Sequence, residues 1–288
     1  MSVDSDYILK SVYETASIVG NSTVPFEGYV KTGWNAMTDR YSHFTIAVLF
    51  SVILHEITYF GLSTPGFLAQ FLPFMRRFKI QEKPESTKVQ WNCFVYILLN
   101  HFFIQAPMIA GMYHFNYYMG VKYEYDDIPR WYVVIPQLVA CLMIEDTWHY
   151  FMHRLLHHKR IYKHIHKIHH HHQQPFGLTA EYAHPLETVI LGMGFVWGIL
   201  FFGNHVIMEW LWMMARLVES VEVHSGYDFP YLNPMHLIPG YAGARFHDFH
   251  HYNFNGNYAS SFVWWDWIFG TNKQYLEYIE KQPKSKKE

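Results

Sequence analysis

The chain has 288 residues, the size of one domain with appendages. Charged residues make up 16% and aromatics 19%, where a soluble domain carries about 25% charged residues. The net charge of −2 gives no case for nucleic-acid binding. Cys93 and Cys141 stand alone inside apolar runs, which excludes a disulfide framework and suits a reducing compartment.

Residues 1–43 read as an N-terminal appendage. No charged stretch followed by an apolar core opens it, so no cleavable signal peptide is expected. A helical span of a bilayer needs about 20 largely apolar residues. The runs 44–62, 91–113 and 131–151 meet that need and make up the first spans, over 44–151. Trp91, Tyr113 and Trp131 mark their ends, where aromatic belts form. Residues 63–75 can lie at the interface, and 44–62 either crosses fully, which puts the N-terminus in the lumen, or re-enters. Residues 186–203 and 206–222 form a helical hairpin, over 186–224, broken at Gly203-Asn204. Within it, Gly192, Gly194 and Gly198 lie in an apolar helix with no preceding strand. They predict close helix packing rather than a nucleotide loop.

Loop charge predicts the orientation. Residues 75–90 carry Arg76, Arg77, Lys79, Lys83 and Lys88, and residues 154–167 carry Arg154, Lys159, Arg160, Lys163 and Lys167. The loop 114–130 carries Asp126 and Asp127, with Lys122 and Arg130 its only cations. Positive loops face the cytosol. The histidine-rich segment 152–185 and a cap and tail over 225–288 are then cytosolic. Lys284 and Lys286 have the spacing of a dilysine signal that returns membrane proteins to the endoplasmic reticulum. The expectation is a single all-α domain over 1–288. It is an integral membrane protein with four to five hydrophobic helices and a cytosolic helical cap holding a histidine-rich dimetal site.

Of the 21 histidines, 17 lie between His149 and His251. They include His153-Arg-Leu-Leu-His157, His166-Lys-Ile-His169-His170 and His247-Asp-Phe-His250-His251. On a helix, positions i, i+3 and i+4 share a face, so each cluster is expected to aim its imidazoles at one point. Neutral imidazole is the commonest protein ligand of transition metals. Eight of them exceed what one ion needs, which predicts a two-metal centre. His224 and, more weakly, His184 sit at helix ends on the same side and are candidate further ligands, since ionisable groups at membrane depth are costly. Asp146 lies two turns before His153 and is expected to orient a ligand imidazole. His171 and His172 extend the second cluster and read as outer-sphere or solvated.

These motifs resemble the fatty acid hydroxylase and sterol desaturase superfamily, marked by HxxxH, HxxHH and a final HxxHH around membrane spans. Its branch that oxidises C-4 methyl groups of sterols is similar over a longer stretch, from about Trp34 onward. The likeness includes Glu145–His157, Ala180-Glu-Tyr-Ala-His-Pro-Leu-Glu187, His224-Ser-Gly-Tyr-Asp228, Gly256-Asn-Tyr-Ala259 and Trp264-Trp-Asp-Trp-Ile-Phe-Gly-Thr271. It departs at His171–Gln174, which is richer in histidine. The resemblance implies an endoplasmic-reticulum monooxygenase with two iron ions. It would take a sterol 4-methyl group through hydroxymethyl and aldehyde to carboxylate with O2. Electrons would come from NAD(P)H through cytochrome b5 and its reductase. The absence of a Rossmann or P-loop fingerprint agrees with a separate electron donor. A sterol C-5 desaturase or a fatty-acyl hydroxylase would share the clusters. A histidine-rich metal transporter would instead place its ligands at the bilayer midplane.

Overall fold

The computed structural model describes residues 27–81, 85–229 and 234–282. The Lys284 and Lys286 pair lies outside them, as does most of the N-terminal appendage. Among the described residues the chain is helical, with only isolated β-bridges.

A first helix, α1, covers 27–40. The second, α2 (His43–Ala69), is started by Ser42, whose hydroxyl accepts from the Thr45 amide at 3.1 Å and satisfies a donor the first turn leaves free. It continues through Pro65 to Ala69, so the stretch expected to lie at the interface is partly helix. α3 (Thr87–Met119) contains a π-turn over His101–Gln105 and stops at Gly120, whose φ of 68° is the left-handed conformation glycine adopts without a Cβ penalty. α4 (Trp131–Leu156), α5 (Pro185–Phe202) and α6 (Val206–Val223) complete the bundle, with the break between α5 and α6 at Gly203-Asn204.

Contacts at the helix ends define two poles. Lys122 N donates to Asn204 O, and Trp34 Nε1 to Tyr123 O, which gathers α1, the start of α2 and the acidic loop at one pole. At the other, Gln81 Nε2 donates to Gln173 O and to Asp248 Oδ1, each at 2.9 Å. The basic loop therefore touches the histidine-rich segments. Helices α2 to α6 run alternately between the poles.

Among the described residues, α2, α3 and α5 are long and apolar enough to cross a membrane. α2 and α3 present Ile57, Phe102 and Phe103 outward, and α5 presents Phe201. α4 and α6, also expected to span, carry Glu145 and Asp146, and Glu209, Arg216 and Glu219. These charges are partnered inside the bundle. Asn116 Nδ2 donates to Glu209 Oε2 at 2.7 Å, and Arg216 bridges Glu145 at 2.9 Å and Glu219 at 2.5 Å. Gly194 and Gly198 let α4 and α5 approach closely: a Cβ on Gly198 would lie 3.1 Å from Cys141 Cβ and Sγ. This is the small-residue packing the apolar context predicts.

Beyond α6 the cap consists of α7 (Gly243–Asn253), α8 (Trp264–Phe269) and α9 (Lys273–Lys281). Asp146 fastens it to α4. Its carboxylate accepts from the amides of Ser261 at 2.8 Å and Phe262 at 3.0 Å and from Trp264 Nε1 at 2.8 Å.

Candidate metal centre

α4 ends with His153 and His157, one turn apart, and α6 ends at His224. His166, His169 and His170 lie on a chain of short turns, and α7 carries His247, His250 and His251. The structure brings these nine side chains together in two groups. His153, His157, His166, His170 and His250 form one; His169, His224, His247 and His251 form the other, and within each group the candidate ligand atoms lie within 4.8 Å of one another. The groups adjoin, with the rings of His170 and His251 4.8 Å apart between centroids.

The division corrects, for the two HxxHH motifs, the expectation that each motif aims at one point; His153 and His157 do aim at one. In each HxxHH motif, the i and i+4 members share a group while the i+3 member joins the other. His166 and His170 face the first group and His169 the second; His247 and His251 face the second and His250 the first. Each HxxHH segment therefore contributes to both groups, while His153 and His157 serve the first alone and His224 the second alone.

Hydrogen bonding sets the tautomers. Nδ1 of His153 donates to Tyr258 O at 2.9 Å, that of His250 to Gly256 O at 2.7 Å, that of His224 to Ser220 O at 2.7 Å, and that of His251 to His172 O at 3.1 Å. A carbonyl only accepts, so each of these Nδ1 atoms carries the proton and each Nε2 keeps a lone pair. The Nε2 atoms nevertheless face one another. Nδ1 of His166 is held by Glu187 and that of His169 by Tyr182 O, and their Nε2 atoms meet those of His153 at 3.0 Å and His224 at 3.4 Å; His170 and His247, whose Nδ1 atoms have no partner, turn Nε2 toward His250 at 3.1 Å and toward His224 and His251 at 2.9 and 3.1 Å. Lone pair against lone pair is repulsive unless a cation sits between them. Imidazole ligands about 2.1 Å from a shared ion at tetrahedral angles stand roughly 3.4 Å apart. The donor set thus fits two metal ions, one per group.

Burial reinforces the ligand state. It disfavours the imidazolium at His250 and His251, whose proton affinities fall well below the ordinary histidine range, and neighbouring rings lower them further. The same two causes take His224 to about 3, and burial takes His169 to about 4. These rings are neutral at pH 7, as metal binding requires.

His184 is not among the nine. Its Nδ1 accepts from the Leu186 amide at 3.1 Å and caps the start of α5. Asp146 orients no imidazole either, because the three donors from the cap occupy its carboxylate. The acid that does so is Glu187, whose Oε1 accepts from His166 Nδ1 at 2.8 Å. It lies within the Ala180–Glu187 stretch, but nothing in its local spacing pairs it with His166. His172, read as outer-sphere or solvated, is 2% exposed, and its carbonyl fixes His251. His171 is exposed.

A cavity of about 280 Å³ opens above the groups between α3, α5 and α6. Met108, Met112, Leu191, Phe195 and Met213 line its walls, and His153, His166, His169, His224 and His247 its floor. An elongated apolar molecule could lie along those walls with one end over the imidazoles.

The fatty acid hydroxylase family model matches residues 138–271, which include all nine histidines. Methylsterol monooxygenase 1 of Gallus gallus is 55% identical over 284 residues, covering 98% of this chain and 96% of its own length. The protein of that name from Rattus norvegicus is 57% identical over 261 residues, covering 90% and 89%. That from Danio rerio is 53% identical over 263 residues, covering 91% and 90%. No solved structure matches the chain.

Proposed function

The chain belongs to the fatty acid hydroxylase family, and from that premise we propose that it is a membrane monooxygenase acting on the 4-methyl group of a sterol. The observation that carries the reading is the floor of the cavity, where paired groups of neutral imidazoles face the end of an apolar slot. The relatives' name supplies the substrate class.

In this reading the nine histidines hold two iron ions, five ligands on one and four on the other. A bound iron pair would supply the one-electron and O2 chemistry that an unactivated methyl group demands. Imidazole also suits zinc, but zinc has no redox chemistry to offer. The protein's part is positioning. Met108, Met112, Leu191 and Phe195 hold the fused rings and exclude water, and the fixed Nδ1 donors keep the imidazoles aimed. Repeated oxidation of one carbon, from methyl through hydroxymethyl and aldehyde to carboxylate, requires that the sterol return to the same pose.

Electrons come from NAD(P)H by way of cytochrome b5 and its reductase, and the pole carrying the basic loop and the histidines faces the cytosol. One assay tests these points together. Sealed microsomes containing the protein are given a 4-methylsterol, with NADH on the outside only. The expected products are 4-hydroxymethyl and 4-carboxyl sterols, formed only with O2 and cytochrome b5. Activity appearing only after the vesicles are opened would reverse the orientation. A new ring double bond would identify a desaturase instead.

Residence in the endoplasmic reticulum is proposed from Lys284 and Lys286. Changing both to Ser is expected to release the protein to later compartments, read by microscopy. Unchanged location would place retention in the spans, whose length also sorts proteins by bilayer thickness.

A further inference from the structure

Away from the nine histidines, a second cluster of ligating groups sits against the same cavity. His55 of α2 and His101 of α3 are 5% and 4% exposed, and their rings lie 5.1 Å apart between centroids. Both turn Nδ1 toward one carboxylate, that of Glu56, with His55 at 3.1 Å and His101 at 3.0 Å. Both turn Nε2 toward a second carboxylate, that of Glu181, His55 at 3.3 Å and His101 at 2.7 Å. The π-turn that begins at His101 sets this side chain off the regular helical register. Such turns recur at functional sites.

A neutral imidazole has one N–H. If Glu56 accepts it from each ring, both Nε2 lone pairs confront the acceptor oxygens of Glu181. A second proton on each ring or a metal ion must lie between them. The contact at His101 favours the ion. Its Nε2 approaches Glu181 Oε2 to 2.7 Å, yet neither atom has a hydrogen-bond partner. An unaligned N–H leaves both atoms available to one ion, on which they would settle farther apart, at roughly 3.4 Å. An acid behind the Nδ1 of a ligand imidazole is the usual outer-sphere support of a metal site. His55 and Glu181 also line the cavity, which leaves an open position on that side.

The geometry points to a third, mononuclear site for a divalent transition-metal ion, held by His55 Nε2, His101 Nε2 and the Glu181 carboxylate, with Glu56 fixing both rings. Two imidazoles, one carboxylate and an open position make the ligand set of many catalytic zinc sites. Glu56 and Glu181 together balance a doubly charged ion, so no net charge is buried. The inference does not depend on the proposed reaction, since none of these residues belongs to the two groups of the dimetal centre.

The test is a metal count on the full-length protein in detergent, stripped with chelator and titrated with Zn2+. The wild type is expected to take up one more tightly held equivalent than Glu181→Gln, which keeps the shape and polarity of the side chain but weakens it as a ligand. His101→Ala should show the same loss of one. A second comparison, in a His250→Ala background that disrupts the dimetal centre, should still show a one-equivalent difference on adding Glu181→Gln, so failure of one site is distinguished from failure of the other. Equal zinc uptake by wild type and Glu181→Gln overturns the inference, and the four side chains are then a proton-filled ion network.

Discussion

His250→Ala is expected to lower turnover at least about 100-fold and to lose metal with it. His250 is 0% exposed, and its Nε2 lies 3.2 Å from that of His157 and 3.1 Å from that of His170. It is therefore central to the five-imidazole group. Removing it deletes a ligand and leaves the Gly256 carbonyl without its donor. Loss of an outer-sphere partner alone typically costs 10- to 100-fold in affinity or activity, so loss of a direct ligand should reach at least the upper end. Glu187→Gln gives the graded comparison. The amide oxygen can still accept from His166 Nδ1, but the ionisable carboxyl behind the ring is gone. Metal should then be retained and yield more readily to a chelator. His184→Ala, which touches only the start of α5, should keep both ions. The measurement is iron per chain alongside sterol turnover. If His250→Ala keeps both at wild-type level, the assignment of the first group is wrong.

The largest expected loss of stability is at Arg216. Its side chain is 14% exposed and pairs with Glu145 and Glu219, which are 4% and 5% exposed. It also donates to Ser260 Oγ at 3.1 Å, so it joins α4 and α6 to the cap. Replacing it with Met leaves two carboxylates facing one another without a cation. Breaking a buried pair in this way costs about 3–5 kcal/mol. A thermal melt of the purified protein should show the drop. Adding Glu145→Gln and Glu219→Gln to Arg216→Met should recover much of it, because neutral replacement of a whole buried ion group is often close to harmless. Arg216→Lys should rescue only in part, since an ammonium cannot span both acids with the geometry of a guanidinium. An Arg216→Met protein that melts like wild type would show that the cluster adds nothing to stability.

Much of this was legible in the sequence. The apolar runs located the five helices that cross between the poles, because a run of that length has few other ways to satisfy its backbone in an apolar medium. Gly203-Asn204 marked the turn of the hairpin, and the glycine spacing in α5 marked close packing. Composition could not separate helices facing lipid from helices burying charge: α4 and α6 read as spans although they carry the acids that tie the bundle to its cap. Asp146 was legible as a buried acid but not as a partner for the amides of Ser261 and Phe262, which lie far along the chain.

The spacing within HxxxH and HxxHH was enough to nominate the imidazoles, since helical periodicity brings i, i+3 and i+4 to one side on α4 and α7, although His166, His169 and His170 lie on short turns. It could not assign each to an ion. The i+3 residue is rotated by about 60° from i on a regular helix, an angle that serves one site or two depending on what stands opposite. Only the packing of α4, α6, α7 and the intervening turns decided that His169 and His250 cross to the group their motif partners do not join. The same long-range packing selected Glu187 over Asp146 as the acid behind an imidazole. It also left His184 as a helix cap and brought His55, His101 and Glu181 together from three separate segments. Local sequence sets where a side chain points on its own helix; what it meets there depends on every other helix in the bundle.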